Sequence, residues 1–371
     1  MELEKLRSEI DKVDDEILSL FSKRMEIVTE VAKYKHENAL PVMQGGREAQ
    51  IVSRVRENSP AGLENASEML FVNMMDISKC MQTRKLFTPK ETATPKFIPA
   101  KIKKIACQGS FGAYSEIAAE RLFPNAEKSF YPSFTEVFSA VECGTAECGI
   151  LPIQNSNVGS IAETYDLMAK HDFFINAVIR TEADHCLCAL RGADISNVKT
   201  VISKAEAIGQ CAAFIKSRGF SVREYANTAL AAEYVAATGD KTLACICSKR
   251  CAALNGLEII AEGIADVSPN FTRFICFSKA FSEIADADTV SVSLAIPHTK
   301  GSLYRLLTKF AVSGLNLVKI ENKAVGGSDF EVIFYLDFAG RYSDFNVLAL
   351  LDDLKNTLSY FRFLGSFKEV I

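Results

Sequence analysis

Hydrophobic residues at the start of the chain recur with the spacing of one long helix. Leu3, Leu6, Ile10, Val13, Ile17 and Leu20 step by three and four, and Ile27, Val31 and Tyr34 continue the series. The pattern predicts a helix of roughly 34 residues, about 50 Å long at about 1.5 Å per residue. Two shorter helices are predicted at 47–58 and 63–85. They cannot cover the long helix alone, so a second copy of the chain is the expected partner, in a homodimer or a higher homo-oligomer.

Beyond residue 86 the pattern changes twice. Residues 87–104 hold Pro89, Pro95 and Pro99 among Thr, Lys and Ala, a linker composition. From 105 to 280 strand-like and helix-like stretches alternate, as in an α/β domain. "KIACQ", "CGILPI", "TVIS", "SVREYA", "TLACICS" and "LEIIAEG" are the predicted strands, and helices are expected to stop near Gly219, Gly239 and Gly256. After the polar bridge "SEIADAD", residues 289–371 read strand, helix, strand, strand, helix, strand, the βαββαβ ferredoxin-like order.

Composition narrows the class. The 371 residues are 48% hydrophobic and 24% charged, with a formal net charge of −4. That is ordinary for a soluble globular protein and gives no basic footprint for nucleic acid or an anionic membrane surface. No apolar run is long enough to span a bilayer, and the first residues lack the apolar segment of a signal peptide. Eleven cysteines, an odd number, sit largely in apolar runs, with no Cys-x-x-Cys pair and only four histidines. They read as core-filling thiols of a reducing, cytoplasmic compartment rather than as disulfides or zinc ligands. Cys211, in "GQC", is the thiol expected closest to a site.

Two features carry chemistry. Arg24 occupies the next seam position after Leu20, where an unpaired guanidinium costs several kcal/mol of desolvation. Lys35 follows eleven residues later on almost the same face. Arg7, seventeen residues earlier, points roughly 100° away and serves another pocket, most simply the partner's. In the α/β stretch, Gly112–Ser115, Asn155-Ser156, Ser203, Asn227-Thr228 and Ser248 put small hydroxyl or amide residues where helices are expected to begin after strands. Singly these read as N-caps. Together they point to a small anionic ligand, which open α/β sheets bind at their strand ends.

These residues carry a resemblance over essentially the whole chain. "LRSEIDKVDDEILSLFSKR", "VAKYK", "GGREAQ" and "SKCMQ" resemble the all-helical chorismate mutases. "GSFGAYSEIAA", "GILPIQNSNVGSI", "DHCLCAL", "ISKAEAIGQC", "NTALAA" and "NFTRF" resemble the prephenate dehydratases, and the last stretch resembles their ACT-type regulatory domain. The resemblance implies an intertwined helical mutase domain, a two-lobed, periplasmic-binding-protein-like dehydratase domain and a ferredoxin-like ACT domain. It implies conversion of chorismate to prephenate and of prephenate to phenylpyruvate, with phenylalanine as effector.

By the family's pattern, Arg24 and the partner subunit's Arg7 grip the two carboxylates of chorismate. Lys35 and Gln82 bond the ether oxygen, Glu48 accepts from the ring hydroxyl, and Arg47 and Ser78 line the pocket. Gln44 stands where many members have Asp. In the dehydratase, Thr272 assists departure of the ring hydroxyl, and Ser115, Asn155, Ser156, Ser203, Thr228 and Arg273 bind substrate. His185 reads as a buried structural residue. Gln154 and Lys204 stand where the family usually has Glu and His. The effector motifs appear as Gly301-Ser302-Leu303 and as Glu321-Asn322 followed by Lys323 and Ala324, with three of four residues of the second changed. Neither reaction calls for a cofactor or a metal. An amino-acid sensor would have no reason to keep the mutase cluster together, and a fused dehydrogenase would need a Gly-x-Gly-x-x-Gly turn, absent here.

Overall fold

The computed structural model describes residues 2–38, 45–89, 94–324 and 332–371; Gln44 lies outside them. Three helices come first: α1 (Glu2–Glu37), α2 (Gly45–Glu57) and α3 (Glu64–Leu86). The α/β stretch contains β1 (Lys96–Phe97), β2 (Lys104–Gln108), α4 (Tyr114–Leu122), β3 (Glu127–Tyr131), α5 (Phe134–Glu142), β4 (Cys148–Asn155), β5 (Gly159–Ser160), α6 (Ala162–Lys170), β6 (Phe174–Glu182), β7 (Cys186–Ala189), β8 (Thr200–Ser203), α7 (Ala205–Gln210) and α8 (Ala212–Arg218). It continues with β9 (Ser221–Glu224), α9 (Thr228–Thr238), β10 (Leu243–Cys247), α10 (Lys249–Leu254), β11 (Glu258–Ala261), β12 (Phe271–Ser278) and β13 (Glu283–Ile284). Last come β14 (Thr289–Ala295), α11 (Ser302–Val312), β15 (Leu317–Ala324), β16 (Val332–Ala339), α12 (Phe345–Thr357), β17 (Tyr360–Phe367) and β18 (Glu369–Val370).

The chain forms two compact units, Met1–Ala93 with Thr289–Phe363 and Thr94–Asp288 with Leu364–Ile371. In the first, α1 follows the predicted periodicity, yet Leu3, Leu6, Ile10, Val13, Ile17, Leu20 and Ile27 are all exposed in the single chain. Among the described residues of this helix only Met25 and Ala32 are buried. The helix α3 is buried on more than one side, with Val72, Met75 and Ser78 as well as Asp76 and Cys80 inside. It meets α1, α2, α11 and α12. Arg84 fastens it to the last stretch, donating to Asn346 Oδ1 at 2.7 Å and to the Val312 carbonyl at 3.3 Å. Phe87 meets Phe345 edge-on at 5.7 Å. The last stretch has strand order β15-β16-β14-β17, a ferredoxin-like sheet whose core holds Val292, Leu306, Phe310, Leu336, Phe338 and Leu350.

The second unit has two lobes. One is built on the sheet β18-β6-β12-β4-β2-β3, with β5 beside β4; the other on β11-β7-β10-β8-β9. The chain passes from the first lobe to the second between β6 and β7 and returns between β11 and β12. The two crossings touch where the Ala183 amide donates to the Asn270 carbonyl at 2.7 Å. All six predicted strands are present, and β3, β6, β7 and β12 are additional. The segment read as a linker instead contributes β1, which pairs with β13, and Phe97, which is buried in the first lobe's core.

The eleven cysteines are all free thiols and ten are buried; Cys143 is exposed. Burial pushes the Cys211 thiol up to about 12, so the cysteine expected nearest the site is core filling rather than a nucleophile.

Gly149 shows how tightly the first lobe is packed. A Cβ there would lie 2.4 Å from Phe277 Cζ, and the Phe277 ring stacks on Phe138 at 4.3 Å. We expect Gly149→Ala to cost about 1–3 kcal/mol and to lower Tm by a few degrees, read by thermal denaturation.

Candidate active sites of the two units

The two crossings of the second unit wall a cavity of about 230 Å³. Its lining includes Gly109, Ala113, Tyr114 and Ser115 from the start of α4, Asn155 from the end of β4, and His185 and Thr272 beside the crossings. Lys204, Glu206, Gln210, Asn227 and Thr228 come from the second lobe. Helix α4 has no side-chain cap, so its first turn presents free amides to this space.

Backbone geometry fixes the polar order inside. Asn155 Oδ1 accepts from the amides of Asn157 and Val158, both at 3.0 Å, so its Nδ2 must face the other way. That Nδ2 donates to Asn270 Oδ1 at 2.7 Å and to Thr272 Oγ1 at 3.0 Å. With its oxygen so engaged, Asn270 donates through Nδ2 to Gln210 Oε1 at 3.1 Å. His185 Nε2 lies 2.8 Å from the same oxygen, so Nε2 carries the proton. Nδ1 is left 3.3 Å from the Tyr114 hydroxyl, which donates to the Asp184 carbonyl at 3.1 Å. Thr272, accepting from Asn155, keeps its own proton for the cavity. Burial holds His185 below the usual imidazole range, against the opposing hydrogen bond that it donates to Gln210 and the charge of Asp184.

Four of the seven residues expected to bind or turn over the second substrate line this cavity: Ser115, Asn155, Thr228 and Thr272. Three expectations are corrected. Arg273 follows Thr272 on β12 and so points to the other face of the sheet, where it pairs with Glu369 through Nε at 2.9 Å and Nη2 at 2.7 Å. Ser203 is buried and donates to the Ile246 carbonyl at 2.8 Å. Ser156 is exposed and accepts from the Phe271 amide at 3.0 Å. The helix-start reading also narrows. Asn227 and Ser248 do cap α9 and α10, whereas Asn155-Ser156 closes a strand, Ser203 ends β8, and Ser115 lies inside α4 with its hydroxyl on the Gln108 carbonyl. Gln210 and Asn270 are given no role by the sequence, although each stands in a quoted motif.

In the helical part, Arg24 and Ser78 meet. Arg24 Nη1 donates to Ser78 Oγ at 2.5 Å and to the Met74 carbonyl at 3.3 Å, and burial holds the guanidinium below its ordinary value. Gln82, one turn beyond Ser78, is buried, and its Oε1 has no hydrogen-bond partner among the described residues. Glu48 accepts from Lys79 Nζ at 3.2 Å. Lys35 is half-buried on α1, and Arg47 is exposed and donates to Gln50. Arg7 is exposed and stands about 25 Å along α1 from Arg24, too far to share its pocket within one chain.

In the ferredoxin-like module a cavity of about 1200 Å³ is lined by Ser302, Leu303 and Asn322 among others. Gly301, at φ +82°, begins α11. Glu321 precedes Asn322 on β15 and therefore lies on the opposite face of the sheet, so one chain does not bring the two together in this cavity. Among the described residues no group of three or more His, Cys, Asp or Glu could hold a metal ion, and no helix is long and apolar enough to cross a membrane.

Comparison with known proteins gives this geometry its class. Residues 105–282 match the family model described as prephenate dehydratase, and residues 6–83 match chorismate mutase type II. The chain is 30% identical over 358 residues to arogenate dehydratase 3, chloroplastic, of Arabidopsis thaliana, covering 91% of the chain and 83% of that protein. It is 27% identical over 377 residues to the bifunctional chorismate mutase/prephenate dehydratase of Aquifex aeolicus, covering 100% of the chain and 99% of the relative. The crystal structure of prephenate dehydratase from Arthrobacter aurescens in complex with L-Phe matches with a TM-score of 0.65 at 27% identity, over 71% of this chain and 89% of that one.

The chain belongs to the prephenate dehydratase family. It joins a chorismate mutase domain to a prephenate dehydratase domain and has both enzymatic activities of phenylalanine biosynthesis.

His185 gives a test of the relay. Replacing it with Leu leaves Gln210 Oε1 one donor short, and we expect kcat of the dehydratase to fall about tenfold, whereas His185→Gln, which can restore the donor, keeps most of it. Because the fold disfavours the imidazolium, the unfolded chain takes up a proton first as pH falls below about 6.5, and stability drops there. Melting curves against pH should show a smaller acid loss in His185→Gln than in the parent.

Proposed function

We propose that the two reactions run at two separate sites, with the residue roles that follow. At the first, Arg24 and the partner subunit's Arg7 clamp the two carboxylates of chorismate. Lys35 and Gln82 bond the ether oxygen whose charge grows as the C–O bond breaks. Glu48 accepts from the ring hydroxyl, and Arg47 and Ser78 complete the wall. The rearrangement is unimolecular and pericyclic, so holding the compact conformer and stabilising that oxygen suffice. The exposed α1 seam supports this reading, because dimerisation through it would bury Leu6, Ile10, Val13, Ile17 and Leu20 and deliver a second Arg7.

At the second site prephenate lies in the cavity with its carboxylates toward the open start of α4, Thr228 and Lys204. Carbon dioxide leaves, the electron pair of the broken bond passes into the ring, and the ring hydroxyl departs as water, its proton drawn from solvent through the Thr272 hydroxyl, which is reprotonated as it donates. The observation that carries this is the bond from Asn155 Nδ2 to Thr272 Oγ1, which aims the threonine proton at the ligand space. A Thr hydroxyl is a weak acid, so its contribution is chiefly alignment of charge at the leaving oxygen. Arogenate is the second substrate reading, favoured by Glu206, which lines the same cavity and whose carboxylate, paired with Lys204 at 3.0 Å, suits an ammonium group.

The ferredoxin-like module acts as an ACT-type regulator that takes phenylalanine near Gly301, Ser302, Leu303 and Asn322, with Glu321 supplied from its other face. The protein works in the cytoplasm.

Incubation with chorismate while following prephenate and phenylpyruvate tests the two sites. Arg24→Ala should abolish the first product and leave turnover of added prephenate, while Thr272→Ala should let prephenate accumulate. Loss of both activities in either folded variant would defeat the separation. Mixing Arg7→Ala with Arg24→Ala chains and allowing subunit exchange should restore about one quarter of the mutase rate, since half of the dimers then hold one intact composite site. For regulation, millimolar phenylalanine should slow the dehydratase, and an unchanged rate would reject the effector role.

A further inference from the structure

A buried carboxylate stands behind the wall of the dehydratase cavity. Glu116, in the first turn of α4, directly follows Tyr114 and Ser115, which line that cavity. Its side chain is only 5% exposed. Oε2 accepts from the Gly112 amide at 2.7 Å, reaching back over the start of the helix as the acid of a capping box does. The contact fixes the turn that leads into α4, but it places a negative charge where an anionic ligand is to bind.

Such a charge opposes a second anion in two ways. It takes up the positive end of the helix dipole that the ligand would use, and through protein its repulsion is weakly screened. Prephenate, with two carboxylates, meets both effects. One cation offsets them. Arg250 Nη2, from the first turn of α10 in the second lobe, donates to Glu116 Oε1 at 3.0 Å and is the ion-pair partner of Glu116 among the described residues. The neighbouring Lys249 is taken by Glu262 at 2.6 Å and Asp184 at 3.4 Å. Backbone contacts hold α10 in place for this. Ser248 Oγ donates to the Gly112 carbonyl at 3.2 Å, and a Cβ on Gly112 would lie 2.9 Å from Cys251 Cα. Gly112, at φ +84°, thus allows the close approach that brings the guanidinium to the carboxylate.

We propose that Arg250 sets the affinity of the dehydratase for its dianionic substrate by cancelling the charge of Glu116, so that the open start of α4 accepts a carboxylate of prephenate. Arg250 does not line the cavity and acts through Glu116, as a positioning residue. Neither residue touches Asn155 or Thr272, so the effect falls on binding and leaves the chemical step alone. The inference rests on the placement of the prephenate carboxylates toward α4 proposed above.

The test is steady-state dehydratase kinetics of the full chain with prephenate at pH 8. Arg250→Met should raise KM about tenfold and keep kcat within about twofold. Arg250→Gln, which can still donate to Glu116 but carries no charge, should raise KM as well, whereas Arg250→Lys should keep it near the parent value. Glu116→Gln retains an acceptor for the Gly112 amide without the charge. Added to Arg250→Met, it should bring KM back to within about twofold of the parent. A salt bridge that served stability alone would give the reverse: a lower Tm, a KM indifferent to Arg250, and no repair from the second change. An unchanged KM in Arg250→Met or Arg250→Gln, or a double variant no better than Arg250→Met, overturns the proposal. Lys204→Met separates this failure from that of the underlying reading, because Lys204 lines the cavity and is assigned to the same carboxylates. If Lys204→Met raises KM and the Arg250 variants do not, the role of Arg250 falls and the carboxylate placement stands. If none of them raises KM, the placement falls too.

Discussion

The dehydratase site depends on two backbone amides. Those of Asn157 and Val158 hold Asn155 Oδ1, and every later orientation follows from that hold: the direction of Asn270, the oxygen that Gln210 presents, the tautomer of His185 and the proton that Thr272 turns to the cavity. The turn after β4 thus settles proton positions on residues from both lobes. In a low-dielectric interior such a chain is either satisfied throughout or costly at its weakest member. Here each amide on the path has one assignment compatible with its neighbours.

That constraint also bears on how Thr272 is presented. Thr272 and Arg273 are consecutive on β12, so the pleat sends one to the cavity and the other away from it. The arginine, whose charge would seem suited to an anionic substrate, is taken by Glu369 on the far face. The cavity is lined instead by groups at the strand ends, the open first turn of α4 and the capped start of α9 among them.

The fold was legible where periodicity is local. The three helices, the six strands flanked by helices and the βαββαβ order all follow from spacing and turn residues. The additional β6 and β12 are long antiparallel strands, and the chain enters or leaves each by a crossing between lobes rather than through a helix, so the alternation that marks the other strands is missing there. Ser203 and Arg273 illustrate a second limit. A motif shows that residues are neighbours in sequence, but strand alternation decides which of them face a ligand, and one position changes the outcome. The burial of α3 on several sides could not be read from its sequence either. Asp76 and Arg84 look like solvated charge until the helices of the module are placed against them.

The course of the chain after β17 has a further consequence. Its last eight residues, Leu364–Ile371, belong with Thr94–Asp288, and β18 joins the sheet of the first lobe beside β6. The ferredoxin-like module is therefore an insertion within the dehydratase unit rather than an appendage at its end. A gene shortened before the module would not encode a smaller, intact dehydratase. It would encode a sheet missing its edge strand, with the Arg273 charge stripped of Glu369 one residue from Thr272.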